Sequence, residues 1–189
     1  MFLGFVGAPD ASPVRVDTNH SNIGFEVPIM GGLSQVNGKF SKFEMDLRYD
    51  RKDIGRSSVT VKIDAASVDT GIDQRDAHLR TKDFFDTDTF PEIEFVSKKV
   101  EVTGGRHLLI GDLTMHGITK QVKIPFSITG YVEDKEKGTY VTGFKGELAL
   151  NRREYGINYS HQSVAGFIGD DVRIKLNLLT RPSKIEVGR

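Results

Sequence analysis

The chain has no cysteine among its 189 residues, which removes thiol catalysis, thiolate metal sites and disulfide stapling together. Stability must then come from a packed core, and a chain of this length can build one within a single domain. Net charge is also missing, since 26 basic residues balance 26 acidic ones. No long-range field recruits nucleic acid or acidic lipid headgroups, and the short basic pairs Lys98-Lys99 and Arg152-Arg153 do not change that. Long apolar runs are absent too, so no segment reads as a helix that spans or stably inserts into a bilayer. The nearest approach is the opening MFLGFVGA, which lacks a basic leader and is short for the apolar centre of a secretory signal. Val6-Gly7-Ala8 imitates the small-residue end of such a signal. Residues 1–13 therefore read as a flexible arm or a signal remnant, and a periplasmic or secreted location is favoured over a cytoplasmic one.

Helix is the next thing the sequence has little of. From residue 21 onward apolar residues recur at every second position, the mark of half-buried strands. The runs are Ile23/Phe25/Val27, Val36 to Leu47, Val59/Val61/Ile63, Ile93/Phe95, Leu109 to Met115, Val122 to Ile128, Phe144 to Leu150 and Val172 to Leu178. That makes eight strands. Between Phe40 and Phe43 the parity slips by one, which predicts a β-bulge at Ser41-Lys42. Gly104-Gly105, "MHGIT" and "EDKEKGT" read as tight turns, so neighbours in sequence should pair antiparallel. Two connections, 64–92 and 151–170, are long enough to carry function or a lid.

Eight antiparallel strands with one apolar face close most easily into a barrel, because closure removes the exposed edges. A two-sheet sandwich filled by its own side chains is the alternative. Glycines 38, 111, 143 and 146 fall within strands, where a missing side chain leaves a bend or a void, and this favours the hollow form. The domain is expected over 14–180, with a tail at 181–189.

"DQRDAHLRTKDFFD", residues 73 to 86, crowds acids, bases and a histidine around two phenylalanines. Asp76 and His78 as an acid/base pair, with Arg75 or Arg80 steadying an anion, would make it an active site. Residues two apart on a helix diverge by about 200°, so the pair cannot readily share a proton. A short helix with Asp73 as N-cap and Asp76 near its positive end accounts for the same residues. Leu79, Phe84 and Phe85 then roll into the mouth of the shell as a plug. His107 and His116 have opposite parity, the remaining histidines are scattered, and neither a metal-ligand spacing nor a nucleophile elbow is present. No catalytic residue, cofactor or metal is assigned.

The stretch "VDTNHSNIGFEV" (16 to 27) resembles the opening motif of the YceI-like family of bacterial lipocalin-shaped proteins. "GKFSKFEMDL" is similar to that family's second strand, and "DAASVDTGIDQRDAHLRTKDFFDTDTFPEIEF" to its most specific block. "LLIGDLTMHGITKQV", "LNRREYGIN" and "GDDVRIKLNL" look like its later segments, so the likeness runs from about residue 14 to 179. Two departures stand out: Ile29 occupies a position near which the family commonly has histidine, and an extra residue falls around Gly31-Gly32. Any role of that histidine is not carried over. The absence of tryptophan separates the chain from true lipocalins.

The resemblance implies an extended eight-stranded antiparallel barrel with a short helix in the 64–92 connection and an apolar tunnel for a long isoprenoid or similar amphiphile, of polyprenyl phosphate or quinone type. Ile23, Phe25, Val27, Phe40, Phe43, Phe84, Phe85, Phe95, Phe126 and Phe144 are the expected tunnel wall, with Arg75, His78 and Arg152 as headgroup contacts. For each ring, ordinary core packing is the competing reading. A tail of roughly thirty to forty carbons, at ~0.8 kcal/mol per buried CH₂, cannot stay in water. Measured against a membrane, where it is already buried, transfer into a tunnel is close to neutral, which suits a carrier or scavenger. Non-catalytic lipid binding is thus the leading expectation, with a homodimer left open. An enzyme acting on an isoprenoid headgroup through His78, Asp76 or Arg152 is one alternative, and a filled barrel that supports protein partners is the other.

Overall fold

The computed structural model describes residues 11–161, 164 and 166–184. The MFLGFVGA segment lies outside them. The described residues form one curled sheet with antiparallel pairing between all its named strands and a single short α-helix. The strands are β1 (Ser12–Val14), β2 (Asn22–Ile29), β3 (Ser34–Phe40), β4 (Phe43–Tyr49), β5 (Ser58–Asp64), β6 (Val68–Asp69), β7 (Glu92–Thr103), β8 (Arg106–Met115), β9 (Ile118–Asp134), β10 (Thr139–Asn151), β11 (Asp171–Leu179) and β12 (Ser183–Lys184). Helix α1 spans Asp73–Leu79, within the 64–92 connection.

The strand count is twelve where eight were expected. Part of the difference is the parity slip at Ser41-Lys42, which divides one run into β3 and β4. The rest is β1, β6 and β12, pieces of two or three residues that are too short to show an alternation. β1 begins two residues before the expected domain start at 14, and β12 pairs with β10 inside the expected tail.

The bend between β3 and β4 sets the curl. β3 pairs with β2, whereas β4 pairs with β5. One run thus passes from one neighbour to another. The backbone groups that the bend frees from a ladder find partners on Ser67, which is buried. Ser41 donates its N–H to the Ser67 carbonyl at 3.1 Å, and the Lys42 N–H donates to Ser67 Oγ at 3.1 Å. On the far side β2 pairs with β11, and the sheet order runs β1-β4-β5-β7-β8-β9-β10-β11-β2-β3-β6.

The hairpins follow their turn chemistry. Gly104 and Gly105, with φ of 57° and 76°, give the two left-handed residues that a tight β7–β8 turn requires. Strand β9 is the longest, at 17 residues, and it divides its partners. Its first half pairs with β8, and its second half with β10. The β9–β10 ladder stops at Phe126 opposite Gly146. Next along β9 is Pro125, which has no N–H to offer β10.

Inward residues of this sheet, with Phe84 and Tyr155 from the two long connections, form two apolar clusters. The larger holds Ile23, Phe25, Phe40, Ile63, Phe84, Ile93, Phe95, Met115 and Tyr155, and the smaller is built on Val14, Tyr49, Tyr140 and Phe144. Burying each such side chain contributes about 1.5–3 kcal/mol. The strand glycines are mostly not voids. The Phe25 ring lies over Gly38 and the Phe95 ring over Gly111, so closely that a Cβ would meet ring carbons at 2.2 and 2.5 Å. At Gly143 a Cβ would meet Thr129 Oγ1 at 2.4 Å. Only Gly146 of the four would accept a Cβ without a clash, meeting Ile124 and Leu176 at 3.4 Å.

Candidate functional site

A cavity of about 350 Å³ opens within the larger cluster. Strand alternation places Phe25, Val27 and Ile29 of β2, Val36 and Phe40 of β3, and Val172 and Ile174 of β11 on its wall, with Leu150 and Met115 beside them. The long connections supply the rest. Arg75, His78, Leu79, Phe84 and Phe85 come from 64–92, and Arg152, Ile157, Tyr159, His161, Phe167 and Ile168 from the segment after β10.

α1 is held over this cavity by polar clasps. Asp76 is buried, and its carboxylate accepts from both the N–H and the hydroxyl of Thr70. Arg75 donates to the Thr70 hydroxyl at 2.7 Å and the Thr70 carbonyl at 2.9 Å. At the other end Arg80 donates to the carbonyls of Ala66 at 2.7 Å and Val68 at 3.0 Å. The expected N-cap is corrected: Ile72 takes that position without a side-chain bond, and Asp73 is the first helical residue. The reason is the Asp76–Thr70 clasp, which fixes the chain's entry into the helix and so replaces a cap.

His78 does not face Asp76. Its Nε2 lies 2.9 Å from Asp83 Oδ2, in a pair that is about half exposed. Its ring stands edge-on to Phe84 and Tyr159, each with centroids 5.1 Å away, and those two rings are 4.8 Å apart. Three rings from the two long connections therefore meet at the cavity. With Asp76 bound to Thr70 and His78 to Asp83, the acid/base pair considered from sequence is not assembled.

Arg152 is 4% exposed, an unusual setting for a guanidinium. It donates to the carbonyls of Ile157 at 2.8 Å, Gly169 at 3.0 Å and Ile168 at 3.4 Å, and to Asp170 at 2.8 Å. Burial pulls its pKa below the ordinary value, and the Asp170 carboxylate opposes that shift. These bonds fasten the turn after β10 to the segment that leads into β11.

The expected wall residues divide into three groups. Phe25, Val27, Phe40, Phe84 and Phe85 line the cavity together with Arg75, His78 and Arg152. Ile23, Phe43 and Phe95 pack in the larger cluster and are not on the wall of this cavity, Phe95 because its ring covers Gly111. Phe126 and Phe144 border a second, smaller cavity of about 80 Å³ with Met45, Leu47, Leu176 and Leu178. Leu150, Val172 and Ile174 belonged to runs recognised as strands, and their parity was the available signal. Tyr159, Phe167 and Ile168 lie in a connection without periodicity, where no sequence signal marked them. Among the described residues no cluster of ligating side chains could hold a metal ion, and no helix is long and apolar enough to cross a membrane.

A curled antiparallel sheet that encloses an apolar cavity, with a short helix and aromatic rings at its edge, defines the class of small β-shells built around an internal site. Within that class the chain belongs to the YceI-like domain family, whose model matches residues 15–179. It is 35% identical over 153 residues to a UPF0312 protein of Vibrio cholerae, covering 79% of this chain and 80% of that one. With a UPF0312 protein of Staphylococcus aureus it shares 32% over 161 residues, 84% of this chain and 91% of that one. Among solved structures, Burkholderia cenocepacia BcnA superposes with a TM-score of 0.76 at 24% identity, covering 88% of this chain and 99% of that one. A polyisoprenoid binding domain from Saccharophagus degradans superposes at 0.68 with 15% identity, covering 92% of this chain and 100% of that one. These two likenesses establish the fold.

Proposed function

We propose that the protein binds the chain of an isoprenoid or similar long amphiphile without catalysis, holding it in the 350 Å³ cavity and exchanging it with membranes. The observation that carries this reading is the wall itself: mostly aliphatic and aromatic side chains, with Arg75, His78, Arg152, Tyr159 and His161 as its charged or titratable members. The volume falls at the low end of the ~300–1,000 Å³ typical of ligand pockets. Arg75 and Arg152 are committed to backbone carbonyls and to Thr70 and Asp170, so shape and apolar burial set the affinity more than a dedicated headgroup clamp. One further feature supports exchange with a bilayer, and one solved structure supports the ligand class. Met30 and Leu33, 50% and 86% exposed, occupy the turn after Ile29 of the cavity wall, and the Met30 N–H donates to the carbonyl of Phe167, another wall residue. The Saccharophagus degradans domain of the same fold is described as polyisoprenoid binding.

The test is mass spectrometry of an organic extract from protein purified without detergent, followed by rebinding of polyprenyl and quinone lipids to delipidated protein. A bound long-chain lipid, or saturable rebinding, is the expected result. An empty extract with no rebinding overturns the proposal.

A further inference from the structure

The two cavities lie along one interior. On β11 the inward residues Val172 and Ile174 border the larger, and Leu176 and Leu178 border the smaller. On β10 Leu150 borders the larger, whereas Gly146 and Phe144 border the smaller. Together they are small for a chain of thirty or more carbons, and the sheet wall beside the smaller cavity is incomplete. There the β9–β10 ladder ends at Phe126 opposite Gly146, with Pro125 next in line. A depression of about 420 Å³ lies at this place, lined by Pro125, Ser127, Glu147 and Lys175 among others. The depression and the smaller cavity share Phe126, Lys145, Gly146 and Leu176 as walls. They meet at Gly146, where only the tips of Ile124 and Leu176 and the Pro125 carbonyl stand between the two, at 3.4 to 3.5 Å from where a Cβ would be.

We infer that this break is a lateral window, through which the far end of a long hydrocarbon chain leaves the interior. The inference rests on the proposed lipid binding and adds to it the path of the tail. Three features make the window. Proline removes the hydrogen bond that would continue the ladder. Glycine removes the side chain that would fill the wall. The rings and methyls of Phe126 and Leu176 give the passing chain an apolar edge. A chain longer than the interior can then thread through it, with no need to fold back towards the mouth.

Gly146→Leu closes the window. The side chain follows the inward phase of Phe144 and Leu148, and a Cβ at this position meets Ile124, Leu176 and the Pro125 carbonyl at 3.4 to 3.5 Å, ordinary contact distances. Gly146→Ala is the milder companion, should leucine prevent folding. Wild type and both variants are delipidated, their melting temperatures recorded, and each is loaded from phosphatidylcholine vesicles with isoprenols of about fifteen and about forty carbons. The short chain is expected to bind all three proteins alike. The long chain is expected to bind the closed variant about tenfold or more weakly, the loss that follows when even two methylene groups return to water. Equal retention of the long chain by wild type and a folded closed variant overturns the window while leaving lipid binding intact. Failure of wild type to take up either chain overturns the lipid reading, and the window with it.

Discussion

Gly38→Ala tests whether aromatic rings, and not empty space, occupy the places of the strand glycines. By backbone preference alone, alanine in a strand should be more stable than glycine by about 0.5–1 kcal/mol. The structure reverses that sign. A Cβ at position 38 would stand 2.2 Å from Cζ of Phe25 and 2.7 Å from both Cε atoms, so the ring must tilt. Phe25 is buried and has the Phe40 ring 5.7 Å away, which limits the tilt. Overpacking of this kind costs ~1–3 kcal/mol, giving a net loss of up to roughly 2.5 kcal/mol. Phe25→Ala alone should cost ~3–5 kcal/mol. In that background the obstructing ring is gone, and adding Gly38→Ala should restore about 0.5–1 kcal/mol. The coupling between the two positions is then about 1–3 kcal/mol. In a domain of this size each ~1 kcal/mol moves the melting temperature by roughly 2–4 °C. Denaturant and thermal unfolding of the four delipidated proteins measure the cycle. If Gly38→Ala stabilises the wild type, or costs the same with and without Phe25, the ring does not fill the site and the reasoning fails.

Phe95→Ala should cost a core-sized ~3–5 kcal/mol, equally in delipidated and lipid-loaded protein, because its ring covers Gly111 and borders neither cavity; unfolding of both forms checks this. Asp76→Ala should cost ~1–3 kcal/mol by leaving the Thr70 N–H and hydroxyl without their acceptor. Hydrogen exchange should then show α1 opening more readily, whereas a change confined to turnover of an added lipid pyrophosphate, with the melting temperature unchanged, would restore Asp76 as a catalytic candidate.

The strand runs were legible because a period of two survives wherever one face is buried; the parity slip at Ser41-Lys42 marks a break where the chain changes pairing partner, and not the β-bulge expected there. The short strands β1, β6 and β12 were not, since two or three residues carry no period. The cavity wall was legible in part for the same reason. Phe25, Val27 and Phe40 could be placed by phase, but phase gives only the side of the sheet, and Phe95 shares it while packing against Gly111. Tyr159, Phe167 and Ile168 owe their positions to the Arg152 bonds that pin the second long connection, a tertiary effect that local pattern does not encode. Glycine in a strand pointed to hollowness; at Gly38 and Gly111 a neighbouring ring had already taken the space, and at Gly146 there is room for little more than a Cβ.

The pairing of β2 with β11 has a further consequence for how the molecule is made. Asn22 is opposite Asn177 and Glu26 opposite Arg173, so this contact joins positions about 150 residues apart. Contacts of such separation raise the entropic cost of closure and slow folding relative to hairpins. During synthesis the hairpins from β7 to β10 can form as they emerge, while β2 waits with one edge unpaired until β11 leaves the ribosome. That edge carries Ile23, Phe25 and Val27 on one face, the composition of a segment prone to pair with the wrong strand. Truncation before Asp171 therefore removes more than a terminal strand: it leaves the first hairpin without its partner, and the nascent chain depends on speed or on a chaperone to keep it from aggregating.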